Sequence, residues 1–264
     1  MTVDQGELLT KGQKRFPDIT TYFRGFNTDI GIEVEVENVQ RPEKELIFWE
    51  LEEDGSLKIR GLELISAPIC GHNIDYALAE LQEYLDTQNC LWSHRTSIHV
   101  HIYVGDFTIA QLRTLTALYA VMEPLFFSMV ADTRRGNSFC YHIRDLCPDD
   151  VSFGNNQLKY CAFNVGTGLT KYNTVEFRHM HGTSDMRMIR RWIQLIVKLH
   201  KYVKENTHKD IIDQILNLNT TSAYQDLVFR VFGKTSILFL NLDLKKELED
   251  GVLWAKVFFA CGEQ

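Results

Sequence analysis

Residues 29–37 of the chain read DIGIEVEVE, and apolar and polar side chains alternate through them without a break. Side chains of a β-strand point to opposite faces in turn, so the isoleucines and valines share one face. Glu33, Glu35 and Glu37 share the other, with successive carboxylates about 6.5–7 Å apart. The segment therefore predicts a strand with one buried face and one face of three carboxylates.

Further segments fit the same sheet. Alternation or short apolar runs between turn residues predict strands at 47–51, 61–66, 97–104, 160–165 and 174–179. Helical spacing of apolar side chains predicts helices at 73–86, 108–129 and 185–206. Thr108 and Gln111 form a capping box where the second helix begins. We therefore predict an α+β protein with an N-terminal arm at residues 1–27, a core at 28–206 and a C-terminal helical extension of the same domain at 207–264.

Composition excludes several classes of protein. The net charge of −7 and pI of about 5.7 argue against a nucleic-acid-binding protein. The longest apolar runs, at 236–242 and 252–261, are too short to span a membrane. No signal peptide is visible, and the six cysteines form no C-x-x-C pair. We expect a cytoplasmic protein with reduced thiols, and the sequence leaves a homo-oligomer open.

The acidic face of the 29–37 strand has two explanations. Either the face is open to water, or a cation offsets the repulsion between the carboxylates. His99 and His101 share a face of their own strand in the same way, and imidazole nitrogens are common metal ligands. Glu63, within GLELISAP at 61–68, adds a further acidic strand position.

Glu176 and Arg178 share one face of the 174–179 strand. They could form a simple ion pair. Alternatively, Glu176 ligates a metal while the Arg178 guanidinium clamps phosphate oxygens, a bidentate task for which arginine is better shaped than lysine. The two residues strengthen the case for a cation, because several separate strands would then offer ligands to one sheet face.

The ordered set of motifs resembles a known family. GIEVE at 31–35, DGS at 54–56 with GLELISAP at 61–68, HVH at 99–101, and TVEFR at 174–178 followed by HGT at 181–183 are similar to motifs of the amidoligases. These enzymes are relatives of glutamine synthetase and glutamate–cysteine ligase. The resemblance spans about residues 28–205.

The resemblance implies a glutamine-synthetase-like curved antiparallel sheet with helices packed on one face. It implies an ATP-dependent carboxylate–amine ligase that uses Mg²⁺, or Mn²⁺, to form an acyl phosphate before the amine attacks. The implied metal ligands are Glu33, Glu35, Glu63, His99 or His101, and Glu176. Arg178 and Glu176 are the implied catalytic residues, and Arg178 with Arg134 or Arg135 would contact the nucleotide.

Two other functions stay open. A zinc or manganese hydrolase would use His99, His101, His179 or His181 with Glu176, since zinc favours nitrogen ligands. A non-catalytic protein could bind a nucleotide or peptide with the same residues. The identities of the acid and the amine are not encoded in the strand pattern, because substrate-binding side chains lie on loops.

Overall fold

The computed structural model of the protein describes residues 4–234 and 245–261. Six β-strands and eight α-helices lie within these residues, so the protein is of the α+β class, as predicted. The chain divides into two compact units. One contains Met1–Tyr103 and Met180–Arg191, and the other contains Val104–His179 and Trp192–Gln264. The predicted arm, core and extension stay a prediction.

The first unit contains four antiparallel strands, β1 (Ile30–Val36), β2 (Trp49–Glu52), β3 (Leu62–Ser66) and β4 (Ser97–Tyr103). Their order is β2-β3-β1-β4, with β1 paired to both β3 and β4. The strand predicted from residues 29–37 is therefore flanked on both sides. Its apolar face, which includes Ile32 and Val34, is fully buried.

Helix α2 (His72–Leu85) covers the apolar face of this sheet. The indole Nε1 of Trp49 donates to the Ala77 carbonyl at 2.9 Å. Glu80 of α2 is fully buried, and its carboxylate accepts the backbone N–H groups of Ile47 and Phe48, both at 2.8 Å. These bonds fix the start of β2 against the helix.

The N-terminal arm, predicted as irregular, contains helix α1 (Gln5–Arg15). Asp4 caps its first turn, and Arg15 forms an ion pair with Glu83 of α2 at 3.1 Å. Gly12 allows close contact with α2, because a Cβ at this position would lie 2.8 Å from the Tyr76 side chain. Contacts with α2, which a local pattern cannot reveal, stabilise this helix.

The second unit is mostly helical. Its elements are α3 (Ile109–Ser128), β5 (Phe163–Asn164), α4 (Thr167–Tyr172), most of β6 (Thr174–His181), most of α5 (Met186–Glu205), α6 (His208–Leu216), α7 (Thr221–Phe232) and α8 (Lys245–Ala260). Strands β5 and β6 pair antiparallel. Short 3-10 helices lie at Asp132–Arg134, Ile143–Asp145, Pro148–Asp150 and Asn156–Tyr160.

Helix α3 is buried along most of its length and is the centre of this unit. The predicted capping box between Thr108 and Gln111 is confirmed, and the helix continues through Pro124. Helix α8 packs closely against it at Gly251, where an added Cβ would lie 2.6 Å from the Ala120 carbonyl oxygen. A larger residue at 251 would push the two helices apart.

The C-terminal region predicted as helical forms α6, α7 and α8 in its described part. The predicted apolar run at 236–242 lies outside the described residues. Across the part of the chain that the structure describes, no helix is long and apolar enough to span a membrane.

Candidate functional site

Five of the predicted site residues lie on one face of the first unit's sheet. Strand pairing sets Glu33 opposite His99 and Glu35 opposite Glu63, and His101 lies two residues beyond His99 on β4. Residues directly opposite each other in antiparallel strands point to the same face. This face is the one that α2 does not cover.

Strand β2 extends the face with two carboxylates that the sequence did not single out. Glu52 lies opposite Glu63, and Glu50 lies opposite Ile65 of β3. Both are exposed at the edge strand, where water can solvate them. The name "acidic face" is used below for Glu33, Glu35, Glu50, Glu52 and Glu63.

Glu33 is held by both strand histidines. Its Oε2 lies 3.1 Å from His99 Nδ1, and its Oε1 lies 3.0 Å from His101 Nε2. Burial alone would raise the pKa of the Glu33 carboxyl. The hydrogen bonds and positive charge of His101 and His99 outweigh burial and hold this pKa well below its usual range. Glu33 is therefore ionised at neutral pH.

Glu35 is connected to His99 through hydrogen bonds of Ser97. The Ser97 hydroxyl donates to Glu35 Oε2, and its oxygen lies 2.8 Å from His99 Nε2. Ser97, Glu35 and His99 are each buried. A hydrogen-bonded chain thus runs from Glu35 through Ser97 and His99 to Glu33.

Glu63 is the least stabilised member of the acidic face. Burial, and then the negative charges of Glu33 and Glu35, raise the pKa of the Glu63 carboxyl to about 8. Asp54, in the turn before β3, and Glu52 add further repulsion. A divalent cation beside Glu63 would offset this electrostatic repulsion by supplying the opposite charge.

Two sets of ligand atoms around Glu63 are close enough to hold a cation. One set comes from Glu33, Glu63 and His99, and the other from Glu35, Asp54 and Glu63. Within each set the ligand atoms lie within 4.8 Å of one another. Both sets include Glu63, so this carboxylate is a candidate ligand at either position.

Glu37 has a structural role. Its buried carboxylate accepts the Lys58 backbone N–H at 2.7 Å. This bond restrains a loop in which Ile59 and Arg60 both have positive φ angles, 48° and 53°. Such angles are unfavourable for a β-branched residue such as isoleucine. The strained loop leads directly into β3 and so sets the position of Glu63.

Glu176 and Arg178 lie on β6 in the second unit, where they form an ion pair through Glu176 Oε1 and Arg178 Nη1. The other carboxylate oxygen of Glu176 accepts a hydrogen bond from Asn164 Nδ2 at 2.7 Å. Glu176 is buried and Arg178 is largely so. The predicted convergence of this pair with the acidic face stays a prediction.

The two candidate nucleotide-binding arginines differ in their surroundings. Arg134 is 2% exposed, and its guanidinium donates to the backbone carbonyls of Arg178 and His179. Arg135 is exposed, and its Nε donates to the Phe127 carbonyl at 3.2 Å. Arg134 therefore stabilises β6 through hydrogen bonds to its backbone. A nucleotide contact by either arginine stays a prediction.

Of the histidines that a hydrolase would need, His99 and His101 both contact Glu33, and His179 and His181 lie on β6. His179 is fully buried, and its Nε2 lies 2.5 Å from the Tyr119 hydroxyl. It belongs to the aromatic core of the second unit, where it packs edge-on against Trp192. His181 lies at the end of β6 and is partly exposed.

Besides Glu50 and Glu52, the sequence patterns missed three polar side chains of these clusters. Asp54 lies within the quoted DGS motif but was not assigned as a ligand. Ser97 shares its face with His99, a signal that alternation could have supplied. Asn164 gives no local signal, because only the pairing of β5 with β6 sets it opposite Glu176.

No protein family model matches this chain, and no curated protein matches its sequence.

Proposed function

We propose that this protein is an ATP-dependent carboxylate–amine ligase that works in the cytoplasm with Mg²⁺ or Mn²⁺, like the amidoligases that its motifs resemble. On this proposal the sheet corresponds to the curved antiparallel sheet of glutamine synthetase. One observation carries the proposal: ligand atoms of Glu35, Asp54 and Glu63 lie within 4.8 Å of one another, and the pKa of Glu63 is raised to about 8.

The donor atoms suit hard divalent cations. Glu33, Glu35, Asp54 and Glu63 supply carboxylate oxygens, which Mg²⁺ prefers, and a histidine nitrogen is also acceptable to Mn²⁺. When bound, such cations would neutralise the negative charge of nucleotide phosphates during phosphoryl transfer. The fit rests on the chemistry of the donors and on the repulsion that Glu63 experiences.

The reaction needs little from the protein beyond positioning and charge. The γ-phosphoryl group passes from ATP to the substrate carboxylate and ADP leaves. The amine then attacks the acyl carbon, loses a proton and displaces inorganic phosphate. Arg178 would offer two parallel N–H donors to a phosphate, and Glu176 would orient that guanidinium through their ion pair. No covalent intermediate on a side chain is required.

Hydroxylamine is the test reagent, because it traps acyl phosphates whatever the natural amine is. The purified chain with ATP, Mg²⁺ and a broad panel of carboxylates should yield a hydroxamate and ADP with at least one acid. Glu35→Gln should abolish most of this product. Glu83→Gln is the matched control, because Glu83 is exposed on α2, which covers the opposite sheet face. Equal ADP formation in the presence of EDTA would refute a metal-dependent ligase.

The same experiment distinguishes the alternative functions. A nucleotide-binding protein without activity would bind ATP in a titration and release no ADP with any acid or amine. A hydrolase would cleave ester or amide substrates with Zn²⁺ and without ATP. The burial of His179 in the second unit's aromatic core argues against its service as a zinc ligand.

A further inference from the structure

Ser97 and His99 form a hydrogen-bonded link between the two carboxylates of the Glu33-x-Glu35 pair. Glu33 and Glu35 are alternate residues of β1, and Ser97 and His99 are alternate residues of β4. Strand pairing sets His99 directly opposite Glu33. Side-chain contacts then connect Glu33 to His99, His99 to Ser97, and Ser97 to Glu35.

Both ring nitrogens of His99 are directed at protein oxygens. Nδ1 lies 3.1 Å from Glu33 Oε2, and Nε2 lies 2.8 Å from the Ser97 hydroxyl. A histidine that ligates a metal must direct one nitrogen lone pair at the ion, at about 2.0–2.2 Å. His99 is also 3% exposed, so its ring has little room to turn.

We infer that Ser97 and His99 are positioning residues, which hold Glu33 and Glu35 in the orientation that binds the cation, and that His99 is not itself a metal ligand. This inference rests on the metal site of the proposed function. Partners behind the ligands commonly fix ligand orientation in metal sites, and their loss costs about 10–100-fold in affinity. The pair Ser97–His99 is called the brace below.

The brace explains why a serine occupies the start of β4. Oxygen Oε2 of Glu35 accepts the Ser97 proton, so the other oxygen, Oε1, can face a cation. Without the hydroxyl, Glu35 could rotate away from Glu63, its partner across the β1–β3 pair. The His99 ring restrains Glu33 Oε2 in the same way.

Mn²⁺ titration of the metal-stripped full-length chain tests the inference. Ser97→Ala should weaken Mn²⁺ binding about 10–100-fold, whereas Ser97→Thr keeps a hydroxyl and should keep most of the affinity. The double variant Ser97→Ala with His99→Asn should bind no more weakly than His99→Asn alone, because both changes break one chain of contacts. Fully additive losses would overturn the brace.

The electron paramagnetic resonance of bound Mn²⁺ reports its ligands directly. His99→Asn should leave any nitrogen coupling to Mn²⁺ unchanged, whereas loss of that coupling would make His99 a ligand and overturn the inference. Labelling of Ser97 by a fluorophosphonate would overturn it differently, by making Ser97 a nucleophile with His99 as its base.

A metal-free measurement separates the brace from the proposed function. Histidine side-chain ¹⁵N spectra recorded in EDTA should contain one ring whose shifts change in Ser97→Ala and persist in Ser97→Thr. If wild-type protein binds no Mn²⁺, the proposed metal site fails while these spectra still decide whether the brace exists. If wild-type protein binds Mn²⁺ and Ser97→Ala binds it equally well, the brace fails and the metal site stands.

Discussion

Replacement of Glu63 by glutamine should stabilise the metal-free protein at alkaline pH and have no effect at acidic pH. The carboxyl has an ordinary pKa of 4.5, which burial and the neighbouring Glu33 and Glu35 raise to about 8 in the folded protein. Between these values the folded state binds more protons than the unfolded state. The free energy of unfolding therefore falls as pH rises from 4.5 to about 8, and levels off above that range.

The size of the effect follows from this difference in pKa. At about 1.4 kcal/mol for each factor of ten in proton affinity, the ceiling is about 5 kcal/mol. Glu63 is partly exposed, so solvent screening reduces the expected effect to roughly 1–2 kcal/mol. For a chain of this size that corresponds to a change in melting temperature of roughly 2–8 °C.

Thermal melts in EDTA at intervals from pH 5 to pH 8.5 would measure this change in melting temperature. The melting temperature of Glu63→Gln should match that of wild type near pH 5 and exceed it increasingly towards pH 8.5. Mg²⁺ should raise the melting temperature of wild type at pH 8 and have a smaller effect on the variant, because glutamine supplies no charge. A difference between the two proteins that is constant across this pH range would refute the reasoning, and Glu83→Gln serves as the control.

Three further predictions concern the second unit. Arg178→Lys should lose most hydroxamate formation while its circular dichroism spectrum stays that of wild type, because one ammonium cannot reproduce two parallel donors. Glu123→Ala should lower the free energy of unfolding in urea by about 3–5 kcal/mol, because it leaves the Arg144 guanidinium without the fully buried carboxylate that pairs with it. Exposed Glu247→Ala should change this free energy by less than about 0.5 kcal/mol. Iodoacetamide should alkylate exposed Cys147 before buried Cys140, whose pKa burial raises to about 11, and should leave nucleotide binding unchanged.

The strands could be predicted because their signal is local. Alternation with a period of two is a property of consecutive residues, so the faces of β1 and β4 follow directly from the sequence. Alternation alone did not predict the positions of Glu50 and Glu52. Strand β2 is only four residues long, and its pairing with β3 determines which face each side chain points to. In a short strand, pairing with the neighbouring strand determines which side chains point to which face of the sheet.

Other parts of the site depend on contacts between distant residues. Asn164 contacts Glu176 only because two-residue strand β5 pairs with β6. The resemblance matches Arg134 or Arg135 to a phosphate contact, which stays a prediction, and the structure shows that the Arg134 guanidinium donates to the backbone of β6. An arginine has the same appearance in a sequence whether its partner is a ligand or a carbonyl, so burial has to distinguish the two.

The acidic strand face had two explanations, solvation or a cation, and the partners of its carboxylates favour the second. Glu33 is held by two histidines, Glu35 by Ser97, and Glu37 by the Lys58 amide. Among the described residues, Glu63 receives no hydrogen bond, and burial and the neighbouring carboxylates raise its pKa. A merely solvated face would leave all of these side chains in water. Here protein donors stabilise three carboxylates, and the fourth, Glu63, lies beside them in surroundings that oppose its ionisation. On the proposed function, a cation at Glu63 would offset this repulsion, and Glu33 and Glu35 are already held in place beside it.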